Sequence, residues 1–87
     1  MIKTFNFKPR GVCSQMITIE LDDNKISDLI FYGGCSGNTQ GVTALSKGMT
    51  IDEVIKKVEG IKCGSKNTSC PDQLAQALKQ IKAEYFD

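Results

Sequence analysis

Four cysteines and no histidine among 87 residues limit the chemistry open to this chain. Cys13, Cys35, Cys63 and Cys70 each stand beside turn-forming residues. The segments are Gly11-Val12-Cys13, Gly33-Gly34-Cys35-Ser36-Gly37-Asn38, Cys63-Gly64 and Thr68-Ser69-Cys70-Pro71-Asp72. Cysteines kept for packing behave as small buried hydrophobes and favour apolar runs. Cysteines on glycine-flanked loops suit metal ligation, redox exchange or disulfides instead. Without histidine, no His-based triad, acid–base pair or zinc ligand can be assembled. No side chain is nominated as catalytic. A site of four thiolates suits Zn²⁺ or an iron–sulfur cluster, and the donor set alone does not choose between them.

Two arguments bring these cysteines together. A hairpin is expected with its turn near Asp23, which sets Cys13 opposite Gly33 or Gly34 and close to Cys35. The two glycines would let the backbone bend and approach an inorganic centre closely. Cys70 is expected as the N-cap of a helix whose first residue is Pro71. Free N–H groups and the macrodipole stabilise an anion there, making a thiol a better ligand and nucleophile, with Asp72 partly opposing. The polar loop of residues 64–69 joins Cys63 to Cys70 and could carry Cys63 to the same centre.

The elements that must position these groups follow from periodicity. Residues 2–8, 14–21 and 26–33 read as strands. In the second, Ile17, Ile19 and Leu21 alternate with Met16, Thr18 and Glu20, and residues 22–25 form a turn. Residues 39–47 read as a helix with Val42 and Leu45 inward and Gly48 as its stop. Thr50-Ile51-Asp52-Glu53 is a capping box, followed by an apolar stripe of Ile51, Val54, Ile55 and Val58 that ends at Gly60. The last helix carries Leu74, Ala77, Leu78, Ile81 and Tyr85 on one face. The order βββααα gives an α+β fold, a three-stranded antiparallel sheet followed by three helices on one face.

Composition narrows the partners. Eleven Lys and Arg against ten Asp and Glu leave a net charge of +1, with no basic patch for nucleic acid or an anionic membrane. Residues 1–87 are expected to form a single domain, with no apolar run of membrane-spanning length and no signal peptide. A cytoplasmic location follows as an expectation, and disulfides are rare there. The core is small enough that metal or a partner chain would add needed stability, so a homodimer sharing a cluster is among the expected arrangements.

The segment Thr68-Ser69-Cys70-Pro71-Asp72, followed by Gln73-Leu74-Ala75, resembles the TSCPD domain family. The Gly-Val-Cys piece at 11–13 and the Gly-Gly-Cys-Ser-Gly-Asn piece at 33–38 resemble its stand-alone, four-cysteine members. The same domain occurs near the C-terminus of adenosylcobalamin-dependent ribonucleotide reductases. The resemblance therefore implies a link to ribonucleotide reductase as a thiol redox or accessory module. A more distant resemblance is to iron–sulfur cluster scaffolds of the IscU/NifU N-terminal type. It is carried by Cys13, Tyr32-Gly33-Gly34-Cys35, Lys47-Gly48-Met49-Thr50-Ile51-Asp52-Glu53 and Cys70. That likeness implies the same fold, Cys13, Cys35 and Cys70 as ligands, and a cluster assembly or acceptor protein as partner. The scaffold's Asp, two places after its first Cys, is Gln15 here, and the His before its last Cys is Ser69. Cys63 is the substitute fourth ligand.

Three functions follow as expectations. The first is a small metal-binding protein, a scaffold or carrier, holding zinc or an iron–sulfur cluster through Cys13, Cys35, Cys63 and Cys70. The second is the redox module, in which Cys70 pairs with Cys63 or Cys35 as dithiol and disulfide. The third is a small interaction domain with incidental cysteines. A complete reductase cannot fit in 87 residues.

Overall fold

The structure is a computed structural model that describes residues 2–12, 14–33, 36–62 and 64–86, with 36–38 as helical backbone only. Apolar–polar alternation builds its first half. Strands β1 (Ile2–Phe7), β2 (Ser14–Asp22) and β3 (Lys25–Gly33) pair antiparallel in the order β1-β2-β3. Ile17, Ile19 and Leu21 of β2 face inward and are at most 1% exposed, while Met16 on the opposite face is open. The turn is as expected, with Asp22 paired to Lys25 and Asp23 in the left-handed region at φ 56°, which a short polar side chain tolerates.

β3 departs from strict alternation. Ile26 and Leu29 are three residues apart, yet both are buried. A register shift between Glu20 and Leu21 absorbs the odd residue. Ser27 steadies it, its hydroxyl donating to the Glu20 carbonyl at 3.1 Å and to Glu20 Oε1 at 2.9 Å. Such a bulge moves a side chain back to the core face without breaking the pairing on either side.

Helices α1 (Ser36–Ser46), α2 (Ile51–Val58) and α3 (Cys70–Tyr85) complete the expected α+β order. α2 and α3 pack on each other and close the core, where Leu74, Ala77 and Leu78 are fully buried beside Ile51 and Val54. The capping box forms as the sequence requires: Thr50 Oγ1 accepts from the Glu53 N–H at 3.2 Å, and Glu53 Oε1 accepts from the Thr50 N–H at 2.9 Å. Gly60 follows in the left-handed conformation, φ 85°. The chain before α2 also covers the start of β3. The Gly48 N–H donates to the Ile26 carbonyl at 2.7 Å, and the Ile26 N–H donates to the Met49 carbonyl at 2.9 Å.

Three expectations are corrected. α1 begins at Ser36, three residues earlier than the expected residue 39. Its inward face is also rotated. Leu45 is 77% exposed, whereas Thr39 and Ser46 are buried and Val42 is half-buried. The apolar residues of α1 are too few to set its orientation, and the bonds from Gly48 and Met49 to β3 fix its end instead. Tyr85, the last member of the α3 stripe, is largely exposed, and its ring leans on Phe5 with centroids 5.0 Å apart. No helix among the described residues is long and apolar enough to cross a membrane.

Candidate metal centre

The start of α3 is built from a run of side chains that each make a specific bond. Ser69 is the N-cap, its Oγ accepting from the Asp72 N–H at 3.1 Å. Cys70, expected at that position, is the first helical residue, and Pro71 follows it. A serine oxygen is the better cap because it accepts a hydrogen bond where sulfur accepts only weakly. The Ser69 hydroxyl also donates to the Ile61 carbonyl at 2.7 Å. That bond fastens the chain just before Cys63 to the helix start.

Asp72 is buried in the first turn. Burial pushes its carboxyl up, but hydrogen bonds outweigh this and hold it below the usual carboxylate range. They come from the Thr68 hydroxyl, from the Gly60 N–H at 2.7 Å and, more weakly, from Gln76. The carboxylate is therefore satisfied by these three donors. Gln73 extends the network, its Nε2 donating to Thr68 Oγ1 at 3.0 Å and its Oε1 accepting from the Arg10 N–H at 3.0 Å.

Cys70 itself is 7% exposed and free, and its Sγ lies 2.8 Å from Ser14 Oγ, which is also buried. Ser14 pairs with Gly33 across the hairpin, as the expected register requires, and Gly33 is in the left-handed region at φ 84°. Gly11, at φ 72°, brings its backbone against Thr68. Residues flanking two of the cysteines thus meet the start of α3, Gly11 and Ser14 near Cys13 and Ile61 two before Cys63, while Gly33, two places before Cys35, is linked to it through its pairing with Ser14.

Cys13, Cys35 and Cys63, three of the four expected ligands, lie outside the described residues. Among the described residues no group of three or more His, Cys, Asp or Glu is gathered as a metal site. Arg10 is exposed. The polar partners Ser14, Gly60 and Gln73 escaped the sequence reading. Serine next to Cys13 and glutamine after Pro71-Asp72 carry no chemical signature until the fold sets them together.

The network accounts for consecutive residues of one sequence block, Thr68 to Gln73, and that block is the signature of a family. The TSCPD domain model matches residues 3–82. The chain belongs to the TSCPD domain family. No curated protein and no solved structure matches it. The likeness of this TSCPD domain to cluster scaffolds accordingly rests on sequence features alone. In the TSCPD block, Thr68, Ser69, Asp72 and Gln73 hydrogen-bond to one another or to neighbouring loops, while Cys70 supplies the thiol, a soft metal donor.

Proposed function

We propose that this TSCPD-family protein is a metal-binding module that holds Zn²⁺ or an iron–sulfur cluster through Cys13, Cys35, Cys63 and Cys70. One observation carries the reading. The chain segments next to Cys13 and Cys63 are bonded or packed at the start of α3, where the Cys70 thiol sits, and Gly33, two places before Cys35, is the strand partner of Ser14, which touches that thiol. The donor chemistry fits such a group. Cys70 stands at a helix N-terminus beside a neutral hydroxyl, and the nearby Asp72 charge is taken up by Thr68, Gly60 and Gln76. Bound metal would join four separate segments and so add stability to a small core. The low exposure of Cys70 favours a ligand over a thiol that exchanges with a partner's disulfide, since exchange requires access to the sulfur.

The test is elemental analysis and a visible absorption spectrum of protein purified without oxygen. Iron with sulfide and absorption in the visible supports a cluster, and zinc supports a structural site. Metal-free protein with four titrating thiols overturns the proposal. If those thiols oxidise reversibly, the weight moves to a redox module serving ribonucleotide reductase.

A further inference from the structure

β1 is the edge of the sheet, with β2 as its one strand neighbour among the described residues. Every second residue of an edge strand turns its backbone N–H and C=O away from the sheet, a ready template for another strand. Beside this edge runs a groove of about 550 Å³ between β1 and α3. Its apolar floor comes from Phe5, Phe7, Ala77 and Ile81. The groove is bounded lengthwise. At one end Tyr85 leans on Phe5, and at the other the Arg10 N–H bonds Gln73. The twelve helical steps from Gln73 to Tyr85 rise about 18 Å, which matches about five residues of extended chain at ~3.4 Å each.

Charge selects the occupant. Lys3, Lys8 and Arg10 are exposed along the β1 side and form no ion pair with a described residue, while Glu84 is the acidic residue lining the groove. Lys3 has its ammonium 5.8 Å from the centre of the Tyr85 ring. Lysines on an edge oppose pairing with a second copy of the same edge, because two sets of cations would share one seam. They attract a strand that carries carboxylates. An apolar floor, an open edge and a cationic end together describe recognition by strand addition, in which backbone bonds hold the peptide and alternate side chains fill the groove.

We infer that the groove between β1 and α3 binds an extended acidic segment of a partner protein as a fourth strand on β1. Alternate apolar side chains of that segment rest on Phe5, Phe7, Ala77 and Ile81, and its carboxylates meet Lys8 and Arg10. The inference stands without metal at the cysteines.

The probe is a set of acetylated, amidated seven-residue peptides that alternate Val, Ile, Leu or Phe with Thr and carry Asp or Glu at one end. Binding to the full chain is read by backbone amide NMR. The expected result is saturable binding whose shifts map to residues 2–8 and 73–85. It should weaken at least tenfold with Lys8→Glu combined with Arg10→Glu, with Lys in place of the peptide's acidic residues, or with a central Pro in the peptide. Folding of the variant is checked by its unchanged core methyl spectrum. If it does not fold, the Lys-for-acid and Pro peptides on the native chain decide alone. Absence of binding, equal binding of the Lys peptide, or shifts confined to another surface overturns the inference. So does a concentration-dependent dimer that buries β1.

Discussion

The Cys70 thiol and the Ser14 hydroxyl lie 2.8 Å apart although 56 positions separate them in the chain. The contact couples the start of β2 to the start of α3, and so joins the two ends of the candidate centre. Substituting either partner separates ligation from packing. Cys70→Ser keeps a small hydroxyl beside Ser14 but removes the soft donor, so metal affinity should fall by more than about 100-fold, as loss of an inner ligand exceeds the roughly 10–100-fold typical of outer partners. Ser14→Ala leaves all four thiols and removes only an outer partner, so metal affinity should fall by no more than about 10–100-fold, with about 1 kcal/mol of stability lost with the hydrogen bond. Metal analysis and denaturant titration of both variants make the check. Equal metal loss in both would make the contact, not the sulfur, the decisive feature.

Asp72 predicts a specific response to acid. Its carboxyl is pushed up by burial but held below the ordinary range by bonds from Thr68, Gly60 and Gln76. A depressed folded-state value means the carboxylate is stabilised by folding. That contribution is complete above the unfolded-state value of roughly 4 and is lost as pH falls from there through the lower folded-state value. Asp72→Asn should therefore flatten the acid limb of the Tm-against-pH curve. At neutral pH it should cost about 1–3 kcal/mol, because its amide nitrogen cannot accept from Thr68 or Gly60. Thermal melts of both proteins between pH 2.5 and 7 test this. An unchanged acid limb would remove Asp72 from the account.

The strands and both strong helices were legible because local patterning and long-range packing agree there. Ile17-Thr18-Ile19 alternates, and Leu74, Ala77, Leu78 and Ile81 form one stripe whose burial follows directly. The pairing of Ser14 with Gly33 agrees with a count from the turn because the register shift at Glu20/Leu21 is cancelled by a second one at Ser14/Met16. The orientation of α1 could not be inferred from the sequence, since Leu45 is exposed while Thr39 and Ser46 are buried, and the chain is tied to β3 just past its end, at residues 48 and 49. Of the candidate centre, the cysteines were visible in the sequence by type. The groups that tie their segments together, Ser14, Gly60 and Gln73, were not, because a backbone N–H or a neutral amide has no sequence signature before folding gives it a partner. The groove beside β1 was likewise hidden, as it belongs to the gap between two elements.

The capping box of α2 gives a stability prediction independent of the cysteines. Thr50→Ala removes the oxygen that accepts from the Glu53 N–H and should cost about 1 kcal/mol. Glu53 offers a second readout. The Thr50 N–H, then the Thr50 hydroxyl, hold its carboxyl below the ordinary value. In the variant the Glu53 carboxyl should titrate nearer that value, measured by NMR of its side-chain carbon. Thr50→Ser should preserve most of both effects. A full loss with Ser would assign the stabilisation to the threonine methyl.

Gly11 allows backbone strain to be separated from a tertiary contact. Its φ of 72° is unfavourable for an L side chain, and an added Cβ would lie 3.3 Å from Thr68 Cγ2. Gly48 has a similar φ of 86° with nothing within 4 Å of an added Cβ, and so serves as the control. Both Gly11→Ala and Gly48→Ala should lose about 1–2 kcal/mol from the left-handed backbone. Gly11→Ala should lose more, because the displaced Thr68 also carries the hydroxyl that holds Asp72. Adding Thr68→Ser to Gly11→Ala removes the crowded methyl but keeps that hydroxyl, and should recover the excess loss. A double-mutant cycle by denaturant unfolding measures this coupling. Additive losses would mean that the segment before Cys13 is held only by its own backbone and by Ser14. A positive coupling would mean that the Gly11 segment and the Thr68–Asp72 lock fold as one unit at the start of α3.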